Sequence, residues 1–342
     1  MVSVLKTRTI AVIGSGSIAD QHLGAIKEIG HARLAGVYSR SEEKARKLGE
    51  REKCRWTTDY RDLLRDPEVE IVDIVTSSGS HASIAQEALE AGKHVLLEKP
   101  MAMRSAEADR LLSLARSKGL TLGVVSQRRF EDQHQAVKKV LDSGAIGKLL
   151  LTEVSCPYFR DQAYYDSADW RGKIATDGGA IMNQGIHSVD LMLWFAGPAK
   201  TVQGRIATQT HRMEAEDLAL AIVTFENGAF GTIMASTSIQ PGFTPCLNLY
   251  GEKGSIKLDG ASIVHWTVPG VAKPDFGESQ ASAAVRGPLL SSFKMHQRQI
   301  LDVLAAIEEK RPPLVTGEDG RRAVRLIEGL YESSKSGAPV TL

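Results

Sequence analysis

The sequence predicts a doubly wound α/β domain, in which helices cover both faces of a parallel sheet, followed by an α+β domain with a large, mainly antiparallel, open-faced sheet. In the first third of the chain, short apolar strand-like runs alternate with amphipathic helical stretches, the pattern of a buried parallel sheet. After about residue 127 the strand-like runs lengthen and an Asn-Gly pair joins two of them. The length of 342 residues exceeds what one core usually supports. We therefore expect domains at residues 1–126 and 127–342.

The first domain contains five predicted strands, with helical stretches between them. We expect strands at 9–14, 34–39, 71–76, 94–98 and 120–126, and helices at 17–29, 41–52, 81–91 and 104–118. Because the connections are short and the strands are continuous apolar runs, the sheet is expected to be parallel and covered on both faces.

The second domain is predicted from longer strand-like runs and from helices. Asn227-Gly228 between two such runs is a strong short-range hairpin signal. The other elements are strand-like runs at 246–251 and 254–260, helices at 131–143, 180–196, 294–310 and 317–336, an Arg-Pro-Pro break at 311–313, and an irregular loop rich in Pro, Gly, Ala and Ser at 269–288.

Composition excludes several classes of protein. A formal net charge of +1 gives no overall attraction to nucleic acid or to a membrane surface, and no apolar run of about 18 residues predicts a membrane span. Cys54, Cys156 and Cys246 are scattered, with no CxxC pair, which favours a reducing compartment and argues against both a disulfide framework and a thiolate metal site. No other metal-binding motif is present, and the apolar N-terminal run suits a strand rather than a signal peptide. We expect a cytoplasmic protein without a metal.

The segment VIGSGSIAD contains a glycine loop of the form G-x-G-x-x-A. Gly14 allows a tight turn after the strand, Gly16 allows the backbone to approach a pyrophosphate, and Ala19 allows close packing of helix on strand. Ser17 and Ile18 begin the helix, whose N-terminus favours phosphate charge. Because the motif follows a strand and opens a helix, it predicts a Rossmann-type NAD(P)-binding domain rather than a merely structural turn.

The end of the second strand indicates which dinucleotide binds. An NAD-binding domain usually carries an acid there, which holds the ribose hydroxyls. This sequence has Ser39 and Arg40 instead. A guanidinium suits the 2′-phosphate of NADP, so NADP is the expected cofactor and NAD remains possible. The alternative is a surface arginine at the start of a helix.

Two further motifs carry candidate chemistry. In HVLLEKPMA, Glu98 and Lys99 stand at the carboxyl end of a parallel strand, where such sheets bind ligands. In GGAIMNQGIHSVD, the residues Asn183, His187 and Asp190 fall on one face of a predicted helix, beside an apolar stripe. His187 is either a titrating active-site group or an interior histidine bonded to a backbone carbonyl.

With these motifs, the sequence resembles the Gfo/Idh/MocA family, named for glucose–fructose oxidoreductase, inositol dehydrogenase and rhizopine catabolism. The resemblance implies hydride transfer between NAD(P) and a sugar or polyol carbon, and a homodimer or homotetramer formed through the open face of the second sheet. The other segments that carry it are TSSGSHASIAQEALEAGKHVLLEKPMA (76–102), RRF (128–130), SGAIGK (143–148), YYDSADWRG (164–172), EDLALAIVTFENGAFGTI (216–233) and SGAPVTL (336–342).

The resemblance assigns roles to the two motifs. Lys99 matches the family's catalytic lysine and His187 its general acid–base histidine. Many members carry Asp four residues before that histidine, whereas this chain has Asn183. Because an amide exchanges no proton, a Lys–Asp–His arrangement cannot operate, and Lys99 and His187 must handle the proton between them.

Other positions are matched to the family one by one. Thr76, Ser77 and His81 lie in a loop that passes near the nicotinamide ribose in relatives, and Glu98 is grouped with them as a cofactor-side residue. Trp170 and Arg171 match a pair that contacts the cofactor in related reductases, although a core Trp and a surface Arg would read the same way.

Two kinds of side chain, aromatic and basic, are candidates for the substrate side. Tyr164 offers a stacking surface and a hydroxyl to a sugar ring, or is a packing residue. Arg128, with Arg129, Arg160 and Lys173, would favour an acidic, phosphorylated or nucleotide-linked sugar if these charges converge, and otherwise forms a solvated face. Two alternatives stay open: a dehydrogenase of a non-sugar diol, and a non-catalytic NAD(P)-binding sensor, which the presence of Lys99 disfavours.

Overall fold

The computed structural model describes residues 6–276 and 293–342, which divide into two compact units. The first unit comprises residues 6–102, 106–127 and 293–321. The second comprises residues 103–105, 128–276 and 322–342. These units differ from the predicted division into 1–126 and 127–342, because residues 293–321 belong with the first unit.

The first unit is built on a parallel sheet of six strands in the order β3-β2-β1-β4-β5-β6. This is the doubly wound order of dinucleotide-binding domains. The strands are β1 (Arg8–Ile13), β2 (Ala32–Tyr38), β3 (Arg55–Thr57), β4 (Ile71–Ile74), β5 (His94–Leu97) and β6 (Leu122–Val124). The helices are α1 (Ser17–Lys27), α2 (Glu42–Glu52), α3 (Arg61–Arg65), α4 (His81–Glu90), α5 (Ser105–Lys118) and α9 (Lys294–Glu309). The predicted fold class is confirmed for this part of the chain.

The elements that the sequence did not reveal in this unit are β3 and α3. β3 has three residues, of which only Thr57 is buried, so it carries no apolar run. The last helix of the unit, α9, lies far along the chain, yet Ile300, Val303 and Leu304 share one buried cluster with Leu23 and Ile26 of α1. A buried helical face contributed from nearly three hundred residues away leaves no local signal of the domain to which it belongs.

The second unit is built on an eight-stranded sheet in the order β13-β12-β11-β7-β10-β9-β8-β14. Its strands pair antiparallel except β7 and β10. The bounds are β7 (Leu149–Pro157), β8 (Ala199–Ala207), β9 (Leu218–Phe225), β10 (Phe230–Ser236), β11 (Cys246–Gly251), β12 (Ser255–Asp259), β13 (Ser262–Thr267) and β14 (Val340–Thr341). The hairpin predicted at Asn227-Gly228 joins β9 to β10, with Gly228 at φ +86°.

One face of this sheet is covered and the other is open. Along β9, Ala219, Ala221 and Val223 are buried, whereas Leu220 and Ile222 are 49% and 58% exposed. Phe230 on β10 is 55% exposed and pairs with Thr224, on the open side of β9. The alternation confirms an open-faced sheet in the second unit.

The helices of the second unit are α6 (Asp132–Asp142), α7 (Gln162–Asp166), α8 (Ile186–Ala196) and most of α10 (Gly317–Ser336). The regular helix predicted at 180–196 is wrong in its first part: Ala180–Gly185 form a π-helical turn that leads into α8. The opening amides of this turn bond to Glu216, Ala180 N to its carbonyl (2.8 Å) and Ile181 N to its carboxylate (3.0 Å). The start of the turn is therefore held from outside the helix.

Residues 269–276 of the predicted irregular loop form no helix or strand, and the remainder of that loop lies outside the described residues. Among the helices of the described ranges, none is long and apolar enough to cross a membrane.

A buried ion pair anchors α8. Arg129 donates from Nε and from one terminal nitrogen to the two carboxylate oxygens of Asp190, at 2.8 and 2.6 Å, and both residues are at most 6% exposed. The pairing with Arg129 explains why the predicted helix face carries an acid at position 190.

We expect Asp190→Asn to lower the free energy of unfolding by about 3–5 kcal/mol, because Arg129 would keep its charge while losing the buried counter-charge of Asp190. Urea unfolding of the purified chain measures this. The matched control is Glu43→Gln, which breaks the exposed pair with Lys47 and should leave the unfolding midpoint unchanged. Equal midpoints for Asp190→Asn and the wild type would show that the pair contributes nothing.

Candidate active site

The glycine loop of the first unit has the geometry that a pyrophosphate requires. Gly14 adopts φ +134°, and a Cβ at this position would stand 2.5 Å from the carbonyl oxygen of Val75. A Cβ on Gly16 would meet no atom within 4 Å, and Gly16 caps α1 without a side-chain hydrogen bond. The first-turn amides of α1, from Ser17 and Ile18 onward, therefore have no side-chain cap. The loop fits a dinucleotide phosphate group.

At the end of β2, Ser39 and Arg40 occupy different environments. Ser39 is buried, and its hydroxyl bonds to the Ser15 hydroxyl (2.8 Å) and accepts from the Ser41 amide (3.3 Å). Arg40 is exposed, and within the described ranges no carboxylate forms an ion pair with it. A rigid serine pair beside an unneutralised guanidinium is compatible with an anionic ligand group.

A buried charged cluster lies between the glycine-loop helix and the strand ends. His22 of α1 bonds through Nδ1 to Asp73 of β4 (2.7 Å) and through Nε2 to Glu98, next after β5 (3.2 Å). All three residues are at most 5% exposed. Burial alone would lower the pKa of His22, but the two carboxylates raise it to about 10. His22 is therefore an imidazolium held between two acids.

The same cluster holds the backbone of Lys99. The second carboxylate oxygen of Glu98 accepts from the Lys99 amide at 2.9 Å. Burial would raise the pKa of Glu98, but its hydrogen bond with His22 and the charges of His22 and Lys99 lower it to about 2. Both oxygens of Glu98 thus have protein partners, and Lys99, which is partly exposed, follows a fixed carboxylate.

His81 joins the next two loops. Its ring lies 2.7 Å from the Pro100 carbonyl oxygen and 3.0 Å from that of Thr76, and it is buried. Burial lowers the pKa of His81. Thr76 in turn accepts from the Ser80 hydroxyl at 2.8 Å. In the structure His81 ties the loop of Thr76 and Ser77 to the peptide that follows Lys99.

His296 of α9 completes the cluster. Its ring centroid lies 4.9 Å from that of His22, and one ligand-type atom from each of His22, Glu98 and His296 lies within 4.8 Å of the others. Burial and the charge on His22 lower the pKa of His296 to about 4, and neither of its ring nitrogens has a hydrogen-bond partner within the described ranges. Because His22 bonds to an acid through each ring nitrogen, a metal there would have to displace a proton from its ring.

In the second unit, a line of hydrogen bonds begins at the π-helical turn. Asn183 donates from Nδ2 to Asp177 and accepts at Oδ1 from Gln184 Nε2 at 2.6 Å. Gln184 accepts at Oε1 from Arg160 (3.2 Å) and also lies 3.4 Å from the hydroxyl of Tyr164. Five side chains are therefore connected by hydrogen bonds in the second unit.

The aromatic and basic candidates of this unit come together around the same point. The Arg171 guanidinium lies 4.1 Å from the ring centroid of Tyr164 and 4.6 Å from that of Trp170, and the Arg160 guanidinium lies 5.3 Å from Tyr164. The structure thus brings together Tyr164, Trp170, Arg171 and Asn183, whereas Arg128 lies beside Tyr158. His187 is partly exposed on α8, one turn beyond Asn183.

The residues that sequence reasoning missed are mostly acids. Asp73 stands in the otherwise apolar strand IVDI, and all four of its positions are buried. A charged residue in a fully buried strand signals a buried partner, and that signal was readable. Asp177 precedes the two glycines of the GGAIMNQGIHSVD segment, but it gave no comparable signal because it lies in no apolar strand-like run.

Both halves of the chain match known family models. Residues 8–126 match an oxidoreductase family with an NAD-binding Rossmann fold, and residues 134–257 match the GFO/IDH/MocA C-terminal domain. The chain belongs to the Gfo/Idh/MocA family of NAD(P)-dependent sugar and polyol oxidoreductases. The enzyme class predicted from the sequence is confirmed.

Individual relatives differ in cofactor and substrate. The chain is 27% identical to scyllo-inositol 2-dehydrogenase (NADP(+)) of Bacillus subtilis, over 100% of this chain and 99% of the relative. It is 31% identical to dTDP-3,4-didehydro-2,6-dideoxy-alpha-D-glucose 3-reductase of Streptomyces violaceoruber, over 82% and 84%. Among solved structures, the WlbA dehydrogenase of Bordetella pertussis, in complex with NADH and UDP-GlcNAcA, has a TM-score of 0.87 at 29% identity, over 98% and 99%.

The His22 cluster predicts a pH dependence of stability. The pKa of His22 is raised from 6.5 to about 10 in the folded chain, so its contribution is complete below about pH 6.5 and is lost as the pH rises through about 10. The free energy of unfolding should fall across this range with a slope of up to about 1.4 kcal/mol per pH unit. His22→Gln should lack this component, so its deficit relative to the wild type should shrink as the pH rises.

Urea unfolding at a series of pH values measures the slope. The control variant His31→Gln, a partly exposed histidine outside the cluster, should follow the wild-type curve. A deficit of His22→Gln that stays constant from pH 6 to pH 10 would mean that His22 is uncharged in the folded protein.

Proposed function

We propose that this protein transfers hydride between NADP and a sugar, sugar-derivative or polyol carbon, as a dehydrogenase or as a keto-sugar reductase. The observation that supports it best is the setting of Lys99. Its amide is bound by the buried Glu98 carboxylate, which His22 of the glycine-loop helix holds in turn. The lysine after the fifth strand and the cofactor loop after the first are thus parts of one rigid network.

The reaction needs a group that takes or gives a proton. When a CH–OH group is oxidised, the carbon loses hydride, the hydroxyl loses its proton and a C=O bond forms. The nicotinamide, when bound, accepts the hydride. We assign the proton to Lys99 and His187: an unprotonated amine or imidazole accepts it in oxidation, and the protonated form returns it in reduction. Asn183 contributes hydrogen bonds only, since an amide does not titrate.

The cofactor assignments divide into two groups. Gly14, Gly16, Ser17 and Ile18 would hold the pyrophosphate through backbone amides. The other residues assigned to the cofactor are Ser39, Arg40, Thr76, Ser77, His81, Glu98, Lys99, Trp170 and Arg171. Arg40 supports a preference for NADP, because it is exposed and unneutralised where an NAD-binding domain would place an acid.

A sugar or polyol is the substrate class that the site suits. Tyr164 lies beside Asn183 through Gln184, and an aromatic ring next to amide groups matches the apolar faces and hydroxyls of a sugar. The inositol dehydrogenase and the dTDP-sugar reductase to which the chain is similar support the same class. We assign Lys99, Arg128, Tyr164, Asn183 and His187 to the substrate. A non-sugar diol remains the alternative within the class, and a non-catalytic sensor the alternative outside it.

We also propose a homodimer or homotetramer that works in the cytoplasm. The open face of the eight-stranded sheet exposes Leu220, Ile222 and Phe230, and a second copy would remove this apolar area from water. Cys54, Cys156 and Cys246 form no disulfide, which suits a reducing compartment.

For Arg40→Ala we expect the KM for NADP to rise roughly 10- to 100-fold, the value of a charge-assisted hydrogen-bond pair, and the KM for NAD to change little. Steady-state kinetics with both coenzymes measures this. Arg46→Ala, which removes an exposed arginine of α2 that pairs with Glu50, is the control. An unchanged KM for NADP in Arg40→Ala would remove Arg40 from cofactor recognition.

Lys99→Met and His187→Gln should each lower kcat by about 10²–10⁴-fold, the usual contribution of a positioned proton-transfer group. His187→Gln should bind NADPH with wild-type affinity, and Lys99→Met should still bind it, as measured by quenching of nicotinamide fluorescence. Lys118→Met, which removes a surface lysine bonded to the Glu90 carbonyl, is the control. Full turnover by Lys99→Met would exclude the lysine from the mechanism.

A further inference from the structure

We propose that Asp177 is a positioning residue of the active site, which acts by fixing the side-chain amide of Asn183. This rests on the proposed function, because it assigns Asn183 to the substrate side. Asp177 is 1% exposed and stands six residues before Asn183, where neither the glycine loop nor the His187 motif drew attention to it.

The turn before the π helix is built to bring this carboxylate inward. The Asp177 and Gly178 amides both donate to the Lys173 carbonyl, at 3.0 and 2.9 Å, which closes a tight turn. Gly178 has φ +74°, and a Cβ on Gly179 would lie 2.1 Å from the Glu216 carboxyl. The two glycines that open the GGAIMNQGIHSVD segment therefore allow a crowded turn that no side chain would permit.

Asp177 links two segments that carry candidate site residues. Its Oδ2 accepts from the Gly172 amide at 2.8 Å, directly after Trp170 and Arg171, and its Oδ1 accepts from Asn183 Nδ2. A single buried carboxylate thus joins the Trp-Arg loop to the turn that precedes His187. Loss of the charge would loosen both contacts together.

A line of side-chain hydrogen bonds that ends at Asp177 runs in one direction. Arg160 donates to Gln184, Gln184 donates to Asn183, and Asn183 donates to Asp177. A cation stands at one end of this chain and a carboxylate at the other. Because the charged ends favour only one orientation of each amide between them, the flip of Asn183 is determined by Asp177.

Asp177 and Asn183 therefore have different roles: Asp177 carries the charge, and Asn183 presents a neutral amide. A carboxylate at position 183 would titrate and would repel other acids. An amide there is neutral, and a hydrogen-bond partner has to select one of its two orientations. The negative charge lies instead on Asp177, which accepts hydrogen bonds from the Gly172 amide and from Asn183. The site thereby keeps a fixed, non-titrating amide beside the turn that leads to His187.

A double-mutant cycle on kcat/KM tests this, using the polyol or sugar that the wild type turns over best. Asp177→Asn should lower kcat/KM for that substrate by about tenfold or more. If Asp177 acts through Asn183, the double variant Asp177→Asn/Asn183→Ala should be no slower than Asn183→Ala alone. Multiplicative losses would overturn the proposal.

A variant that exchanges the residues at positions 177 and 183 distinguishes loss of the contact from misfolding. In Asp177→Asn/Asn183→Asp the two hydrogen bonds described above have new counterparts: the Gly172 amide donates to the oxygen of the introduced amide, and the nitrogen of that amide donates to the introduced carboxylate. This variant should unfold at nearly the wild-type temperature, whereas Asn183→Asp alone, with two acids in contact, should unfold at a lower temperature that falls further above about pH 5. Equal unfolding temperatures of the exchange variant and Asn183→Asp would overturn the contact.

The control variant is Asp217→Asn. Asp217 is also fully buried and accepts from the backbone amides of Gln209 and Thr210, but it does not bond to Asn183. It should lower the unfolding temperature and leave kcat/KM within about threefold of the wild type; a loss equal to that of Asp177→Asn would overturn the positioning role. Absence of turnover by the wild type on any substrate would overturn the proposed function itself, and the two failures are thus distinct.

Discussion

The first unit depends on one buried interaction, the imidazolium of His22 between the carboxylates of Asp73 and Glu98. Each of the three comes from a different element, namely the first helix, the fourth strand and the residue after the fifth. Three buried charges would destabilise the sheet if any lacked its partner. The arrangement links the helix of the cofactor loop to the backbone of Lys99 through directional hydrogen bonds.

In the second unit, a line of hydrogen bonds that runs in one direction positions the side chains, rather than a cluster of three charges. Arg160 and Asp177 lie at its ends, and two neutral amides lie between them. The buried Glu216 anchors the start of the same π-helical turn through Ile181, and burial raises the pKa of Glu216 to about 7. In both units, buried acids hold backbone amides and thereby place residues that are themselves partly exposed.

Local patterns in the sequence were sufficient to predict most helices and strands of the fold. The apolar strand runs, the glycine loop and Asn227-Gly228 each predict an element that the structure contains. What remained hidden was non-local: α9 joins the first core from far along the chain, β3 is too short to show a pattern, and the π-helical turn at 180–185 depends on Glu216. Periodicity reports burial along one element, and it says nothing of contacts made by another.

For the candidate site too, local motifs were predictable and non-local contacts were not. Motifs identified Lys99, Asn183 and His187 by type and spacing, but the acids that hold them, Glu98 excepted, were not identified. Asp73 was readable in principle, as a charge in a buried strand. Asp177 was not, because a hydrogen bond to a side chain six residues away within a non-α turn has no spacing rule. A residue that positions another is found only when both are seen together.

The central claim, hydride transfer from a polyol or sugar carbon to NADP, is tested most directly by isotope transfer. The wild-type enzyme would be incubated with NADP and a set of inositols, sugars and sugar acids deuterated at each carbinol carbon in turn, and the reduced coenzyme analysed by mass spectrometry. We predict that one deuterated substrate yields deuterated NADPH. Reduced coenzyme without deuterium from any position, or no reduction by any substrate although NADPH binds, would contradict the account.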